Sequence, residues 1–109
     1  MSAELYFEFK DAAWYLAHRN SLLDSLTQLG TFAKRIDEQV WLRGAEADES
    51  MQESYAYDVR VFLFEKRTPM VEISAHPPSI ERDLHGWLEW LRQRTSVRIV
   101  DEDGDESTW

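Results

Sequence analysis

The sequence has no cysteine among its 109 residues, which excludes disulfide bonds, thiolate chemistry and zinc–sulfur sites. Its four glycines are isolated along the chain, so no glycine-rich loop is present to cradle a phosphate. A nucleophile elbow and paired zinc-ligand motifs are missing as well,. No sequence motif therefore supports an enzymatic function, and we predict no catalytic residues, no cofactor and no metal.

Long apolar runs are also missing. The longest are only a few residues, whereas a membrane-spanning helix needs about 20. The opening residues MSAELYFEF place no basic segment ahead of an apolar one, which predicts no export signal. The sequence therefore favours a cytoplasmic protein that does not bind a membrane.

Basic residues are scarce: the sequence has 12 Lys and Arg and 21 Asp and Glu, for a net charge of −9. The excess lies in two segments without a base, an internal one (Glu46, Asp48, Glu49, Glu53) and a C-terminal one (Asp101, Glu102, Asp103, Asp105, Glu106). Elsewhere acids and bases balance. A nucleic-acid backbone requires a basic stripe, so direct nucleic-acid binding is not expected. A basic protein partner is compatible with this distribution.

What the sequence does have is a strong pattern of apolar periodicities, including five tryptophans, four tyrosines and five phenylalanines. Alternation predicts strands near 5–9, 35–44, 55–67, 70–75 and 96–100. Helical spacing predicts helices from Ala12 to Leu29, after an N-cap at Asp11, and from a cap at Ser79. The order βαβββαβ indicates an α+β fold: a mainly antiparallel sheet of about five strands with both helices packed on one face.

Residues 1–100 are predicted to form this single domain, and residues 101–109 an acidic, disordered tail. Nothing apolar closely precedes Trp109 to offset the entropy cost of ordering these residues. We therefore expect their deletion to leave the melting temperature nearly unchanged. Within the first helix, Arg19 falls in the apolar stripe, so we expect it to pair with an acid or to extend to the rim.

Three polar groupings are candidate sites. The tail sequence DEDGD is acidic like a calcium loop, but that motif needs a bidentate Glu at its twelfth position and flanking helices. Glu81, His85 and Glu89 follow helical spacing and could hold a metal or activate a base, although a solvated charged face is the simpler interpretation. His76, beside two prolines at a strand end, is the better-placed candidate for a ligand pocket because loops carry sites.

The aromatic residues favour an interaction surface. Trp90 lies off the apolar stripe of the second helix, and Trp41, Phe62 and Phe64 fall on the sheet face opposite the aliphatic one. A two-layer α/β domain buries only one sheet face, so these side chains are either covered by a loop or form a patch. Such patches mark interfaces, where tryptophan is a frequent anchor.

We therefore predict a small acidic protein-binding domain that occludes or holds a basic protein partner, for example a bacterial toxin-neutralising immunity-type protein. Trp41, Phe62, Phe64, Trp90 and Trp109 would supply contact, and the acidic segments would attract the partner. One alternative is a small ligand-binding domain or enzyme with a pocket near His76, between the sheet and the second helix. Another is a homodimer packed through the exposed sheet face.

Overall fold

A computed structural model of the chain describes residues 3–45 and 57–109. Two helices are present in this part of the chain, α1 (Ala12–Thr27) and α2 (Pro78–Arg92). The strands are β1 (Ala3–Phe9), β2 (Phe32–Ile36), β3 (Gln39–Leu42), β4 (Val59–Phe62), β5 (Met70–Ile73) and β6 (Val97–Val100).

The predicted α+β fold is confirmed, but the sheet has six strands and not five. All neighbours pair antiparallel, in the order β2-β3-β4-β5-β1-β6. The extra strand arises because the stretch 35–44, predicted as part of a single strand, folds back on itself. Asp37 adopts a left-handed backbone with φ of 51°, a conformation that Asp tolerates better than most residues. The turn it forms joins β2 to β3.

One sheet face carries the core, and we call it the closed face. Its side chains alternate along the strands and are almost fully buried: Leu5, Phe7, Val40, Leu42, Val59, Val61, Val71, Ile73 and Ile99. The buried residues of α1 and α2 join the same cluster, so both helices pack on this face. The predicted strand over 55–67 is shorter, because only Val59–Phe62 is regular and residues 55 and 56 lie outside the described part.

Helix α1 begins as predicted, with the Asp11 side chain accepting the Trp14 N–H at 3.0 Å. It ends at Thr27, short of the predicted Leu29. Helical spacing from Ala12 and Tyr15 predicts Leu16 in the buried stripe, but it is 51% exposed. The pairing expected of Arg19 is confirmed: its guanidinium lies 2.6 Å from Glu38 in the β2–β3 turn and also donates to the Leu63 carbonyl at 2.7 Å.

Helix α2 begins differently from the prediction. Pro77 occupies the cap position, and Pro78 fills the first turn where a missing N–H costs nothing,. Ser79 lies inside the helix, where its hydroxyl accepts the Ala45 N–H at 3.0 Å. The two helices are joined side by side, since the Trp87 indole N–H donates to the Ser25 hydroxyl at 2.8 Å.

The tail 101–109, which the sequence predicts to be disordered, runs along β6 and then onto α2 in the structure. Glu106 bridges Val100, and the Ser107 N–H donates to the Ile99 carbonyl at 2.8 Å. Trp109 is partly buried against the core and stacks on His85 with ring centroids 4.6 Å apart. Because β6 ends beside α2, Trp109 has a surface to cover. The sequence alone does not show that these two elements are neighbours.

Candidate functional site

The second sheet face, opposite both helices, is the open face. It comprises the side chains that alternate with the core residues, most of them partly exposed: Glu4, Tyr6, Lys34, Ile36, Gln39, Trp41, Arg60, Phe62, Met70, Glu72 and Val100. Tyr57 and Phe64 adjoin it at the two ends of β4, where each contacts one of its aromatic side chains. Partly exposed aromatics on one flat surface distinguish this face from the rest of the molecule.

Strand register arranges the open face in two parallel rows. The charge row crosses five strands and consists of Lys34, Trp41, Arg60, Glu72 and Glu4. The apolar row lies beside it and consists of Ile36, Gln39, Phe62, Met70, Tyr6 and Val100. Neighbours within a row sit on adjacent strands about 4.8 Å apart, so each row is a continuous line of contacting side chains.

Arginine and lysine side chains cover the aromatic rings of this face. The Lys34 ammonium lies 5.3 Å from the centre of the Trp41 ring. Arg60 lies between two rings, 4.4 Å from Tyr57 and 5.3 Å from Phe62. It is fixed further by the Glu72 carboxylate at 2.7 Å. Such cation–π contacts stabilise the rings and the cations in these positions by about 0.5–1 kcal/mol each at exposed sites, so this half of the face has its side chains in contact with one another.

The other half of the open face is acidic. The Tyr6 hydroxyl donates to Glu4 at 2.7 Å, and the Glu102 carboxylate accepts the Glu4 backbone N–H at 3.3 Å. The hydrogen bond to Glu4, with burial and the charges of Glu4 and Glu102, raises the pKa of the Tyr6 phenol above its ordinary value. Glu102 therefore extends the charge row across a sixth position, beside β6.

At both edges of the sheet, the strands are poorly suited to adding another strand. β2 carries Lys34 and Arg35 and has a register irregularity between Phe32 and Lys34, features by which natural sheets prevent edge pairing. The edge of β6 is occupied by the tail through the Val100–Glu106 bridge. A partner is therefore better accommodated on the face than along an edge.

The structure brings together only some of the predicted contact residues. Trp41 and Phe62 lie on the open face, and Phe64 stacks on Phe62 with centroids 5.4 Å apart. Trp90 lies on the helical side, where it borders a shallow groove with Leu29 and Gly86. Trp109 lies across α2. Glu46, Asp48, Glu49 and Glu53 fall outside the described residues.

Strand alternation with Val59 and Val61 predicts Tyr57 on the aliphatic face, but its ring is instead in contact with Trp41, at 5.0 Å between ring centroids. The strand alternation that placed it fails because the chain before Val59 is irregular. The rows themselves were also not foreseen. The signal available was the alternation of Arg60 with Val59 and Val61, which put Arg60 on the aromatic face but did not identify its neighbours across the sheet.

The histidine and calcium candidates gain little from the geometry. His76 is 58% exposed and pairs with Glu81 at 2.8 Å, and other side chains line the surface grooves beside α1 and α2. In the tail, carboxylate oxygens of Asp101, Asp103 and Asp105 come within 4.8 Å of one another. Asp101 also accepts the backbone N–H groups of Asp103 and Asp105, so these contacts within the turn account for its shape.

The acids of the tail were expected to attract a basic partner. Most of them are exposed to solvent, and Asp101 is partly exposed. The third histidine, His18, borders the apolar stripe of α1 in sequence, a position that predicts a packing residue. It is exposed and stacks on Trp14 with centroids 4.3 Å apart. Of the Glu81, His85 and Glu89 set, His85 contacts Trp109 and Glu89 lies 3.8 Å from Arg92, so each member has its own separate partner.

No protein-family model matches the chain, and no curated protein and no solved structure matches it either. In the described part, neither α1 nor α2 combines the length and the apolarity needed to cross a lipid bilayer.

Proposed function

We propose that this chain is a small protein-binding domain that occludes or holds a protein partner, and that the open face is its docking surface. A bacterial toxin-neutralising, immunity-type protein acting in the cytoplasm is a concrete form of this proposal. The observation that carries it is the group of partly exposed aromatic rings on the open face, opposite the two helices of the described residues.

Rigidity makes these rings suitable anchors. Trp41 is held by its indole N–H, which donates to the Gln39 side chain at 2.7 Å, and by the ring of Tyr57. Arg60 is held between two rings and a carboxylate. Side chains ordered before binding lose little conformational entropy in a complex, and Trp, Tyr and Arg dominate interface energetics.

The acidic segments contribute to the encounter with a partner. Exposed carboxylates on the tail add only about 0–1 kcal/mol each as local ion pairs. Acting together at a distance, they raise the rate of association with a basic protein roughly 10- to 1000-fold. Nucleic acid remains a poor fit, because Glu4 and Glu72 sit beside the aromatic rings and would repel phosphates.

Capture experiments with two tryptophan variants test the docking surface. Trp41→Ala removes an anchor from the open face, and Trp90→Ala removes a tryptophan of similar exposure from the helical side. A protein retained from the native host by the wild type and by Trp90→Ala, but released faster by Trp41→Ala, supports the proposal. Equal dissociation rates from wild type and Trp41→Ala would exclude the open face.

Surface-plasmon kinetics with the captured protein then test the tail. Replacing the tail acids outside the charge row, which are Asp101, Asp103, Asp105 and Glu106, by Asn or Gln should slow association at low salt and leave dissociation nearly unchanged. Association that ignores both the substitutions and the salt concentration would remove the recruiting role and leave a solubility tail.

A further inference from the structure

The charge row of the open face is antisymmetric. Reading from β2 towards β6, it begins with the cations Lys34 and Arg60, separated by Trp41, and continues with the acids Glu72, Glu4 and Glu102. Positive charge therefore occupies one half of the row and negative charge the other. The boundary between them lies between β4 and β5, in the middle of the six-stranded sheet.

A surface with this pattern is complementary to itself. When two copies pack face to face about a two-fold axis that runs parallel to the strands between β4 and β5, β2 of one copy lies over β6 of the other, and β4 lies over β5. Lys34 then faces Glu102 of the second copy, and Arg60 faces Glu72. An axis perpendicular to the strands would instead place each strand over its own copy. It would put Lys34 over Lys34 if it followed the charge row, which like-charge repulsion disfavours, and the charge row over the apolar row if it lay between the two.

The apolar row obeys the same operation. The axis that pairs the opposite charges places Phe62 over Met70 of the other copy and Ile36 over the β6 edge, where Val100 itself is buried. Gln39 falls over Tyr6, each a polar side chain able to hydrogen-bond. At the centre of the sheet, apolar groups thus meet apolar groups and polar groups meet polar groups, whereas Trp41 of the charge row lies over Glu4 of the other copy. A closed two-fold interface requires that each surface patch match itself.

We propose that the occupant of the open face is a second copy of this chain, packed sheet to sheet as a two-fold dimer. This inference rests on the proposal that the open face is a protein-docking surface, and it identifies the partner as a second copy of the chain. The rows themselves need no basic protein, because their cations and acids nearly balance. A basic partner would meet the remaining acidic tail residues, outside the two rows.

Two charge reversals test the dimer by complementation. In Lys34→Glu, glutamate faces Glu102 twice in each dimer, and in Glu102→Lys, lysine faces Lys34 twice. Each variant alone should dimerise roughly tenfold more weakly than the wild type, or worse. In a one-to-one mixture, both contacts of the mixed dimer are attractive again, so dimerisation should recover.

Sedimentation velocity over a concentration series, at low and at moderate salt, gives the readout. Lys66→Glu and Glu89→Lys make the same charge changes at exposed positions outside the rows, and neither their separate behaviour nor their mixture should differ from wild type. A wild type that stays monomeric at millimolar concentration, or a mixture of Lys34→Glu and Glu102→Lys that stays monomeric, would overturn the inference.

The two proposals fail separately. A monomeric wild type that still holds another protein through Trp41 removes the second copy as occupant and retains the docking surface. If Trp41→Ala changes neither self-association nor capture, both proposals are wrong. Both proposals are supported by two results together. Trp41→Ala abolishes dimerisation, and the mixture of Lys34→Glu and Glu102→Lys dimerises although each of these two variants alone does so only weakly.

Discussion

The closed and the open face are built by the same strands, with side chains that alternate between them. On β3 and β4, the closed face receives Val40, Leu42, Val59 and Val61, all without solvent exposure. The open face receives Gln39, Trp41, Arg60 and Phe62, all partly exposed. Branched aliphatic side chains pack densely without needing a polar partner. The open face instead combines rings, cations and carboxylates, which retain partners in water.

This difference separates stability from recognition. Burial of aliphatic surface against α1 and α2 contributes roughly 25 cal/mol per Å² of apolar area and holds the sheet in shape. The open face adds little to that shape but has its side chains fixed by neighbours, as Arg60 is by Tyr57, Phe62 and Glu72. Substitutions on the two faces should therefore have different consequences.

The largest expected effect comes from neighbouring residues on opposite faces. Leu42→Ala removes a fully buried side chain and should lower the free energy of unfolding by ~2–5 kcal/mol. Trp41→Ala should cost only ~0.5–1.5 kcal/mol, the scale of a surface aromatic contact. Urea unfolding followed by circular dichroism gives both values.

The binding assay should reverse this order: Trp41→Ala weakens self-association or partner capture, whereas folded Leu42→Ala retains it. Equal stability losses for the two variants would mean that the open face is part of the core. Binding that is lost in Leu42→Ala and kept in Trp41→Ala would contradict the separation of the two roles.

A smaller effect is expected at Trp109, which tests how far the closed side of the molecule extends. Its ring stacks on His85 and meets His76 edge-on at 5.8 Å, and Arg92 donates to its carbonyl. Trp109→Ala should therefore cost roughly 1 kcal/mol and lower the melting temperature by ~4–8 °C. Thr108→Ala, at an exposed neighbouring position, is the control. An unchanged melting temperature for Trp109→Ala would restore the predicted disordered tail.

The smallest effect is expected at Tyr15, a tyrosine of the closed side of the molecule. Tyr15 is buried and donates its hydroxyl to the Phe64 carbonyl at 2.7 Å. Burial is the main reason that its pKa rises from 10.0 to about 12. The fold thus favours the neutral phenol, so its contribution to stability is complete below pH 10 and is lost as the pH rises towards 12,.

Between about pH 9 and about pH 11, the loss of this contribution should lower the free energy of unfolding by roughly 1 kcal/mol. The unfolding midpoint should fall accordingly over the same pH range. Tyr15→Phe should remove this part of the alkaline loss, and phenolate absorbance should show one fewer late-titrating tyrosine. The same loss in Tyr15→Phe as in the wild type would show that another group causes it.

Strand alternation predicted much of this architecture. It placed Trp41 and Phe62 opposite Val40 and Val61 because residues two apart in a strand share a face whatever the rest of the chain does. It misplaced Tyr57, because alternation has no meaning where the backbone is irregular. Asp11 was identified as a cap because its hydrogen bond is local, within three residues.

Features that depend on distant neighbours were not predicted. Asp37 turned one expected strand into two, and the residues around it fit either arrangement by composition. Ser79 resembles a cap in sequence, yet its hydroxyl bonds the Ala45 N–H, 34 residues away. Trp109 was assigned to a disordered tail because its contacts, His76 and His85, belong to a different part of the chain.

By itself, the sequence determined the class of fold, the apolar faces of each element, the local cap at Asp11 and the concentration of acids in two segments. These follow from periodicity and composition, which operate over a few residues. Only the tertiary structure decided the strand order, and with it the sequence of Lys34, Arg60, Glu72 and Glu4 across the open face. Residues that meet across a sheet come from strands separated by tens of positions, and their register is fixed by how the whole core packs.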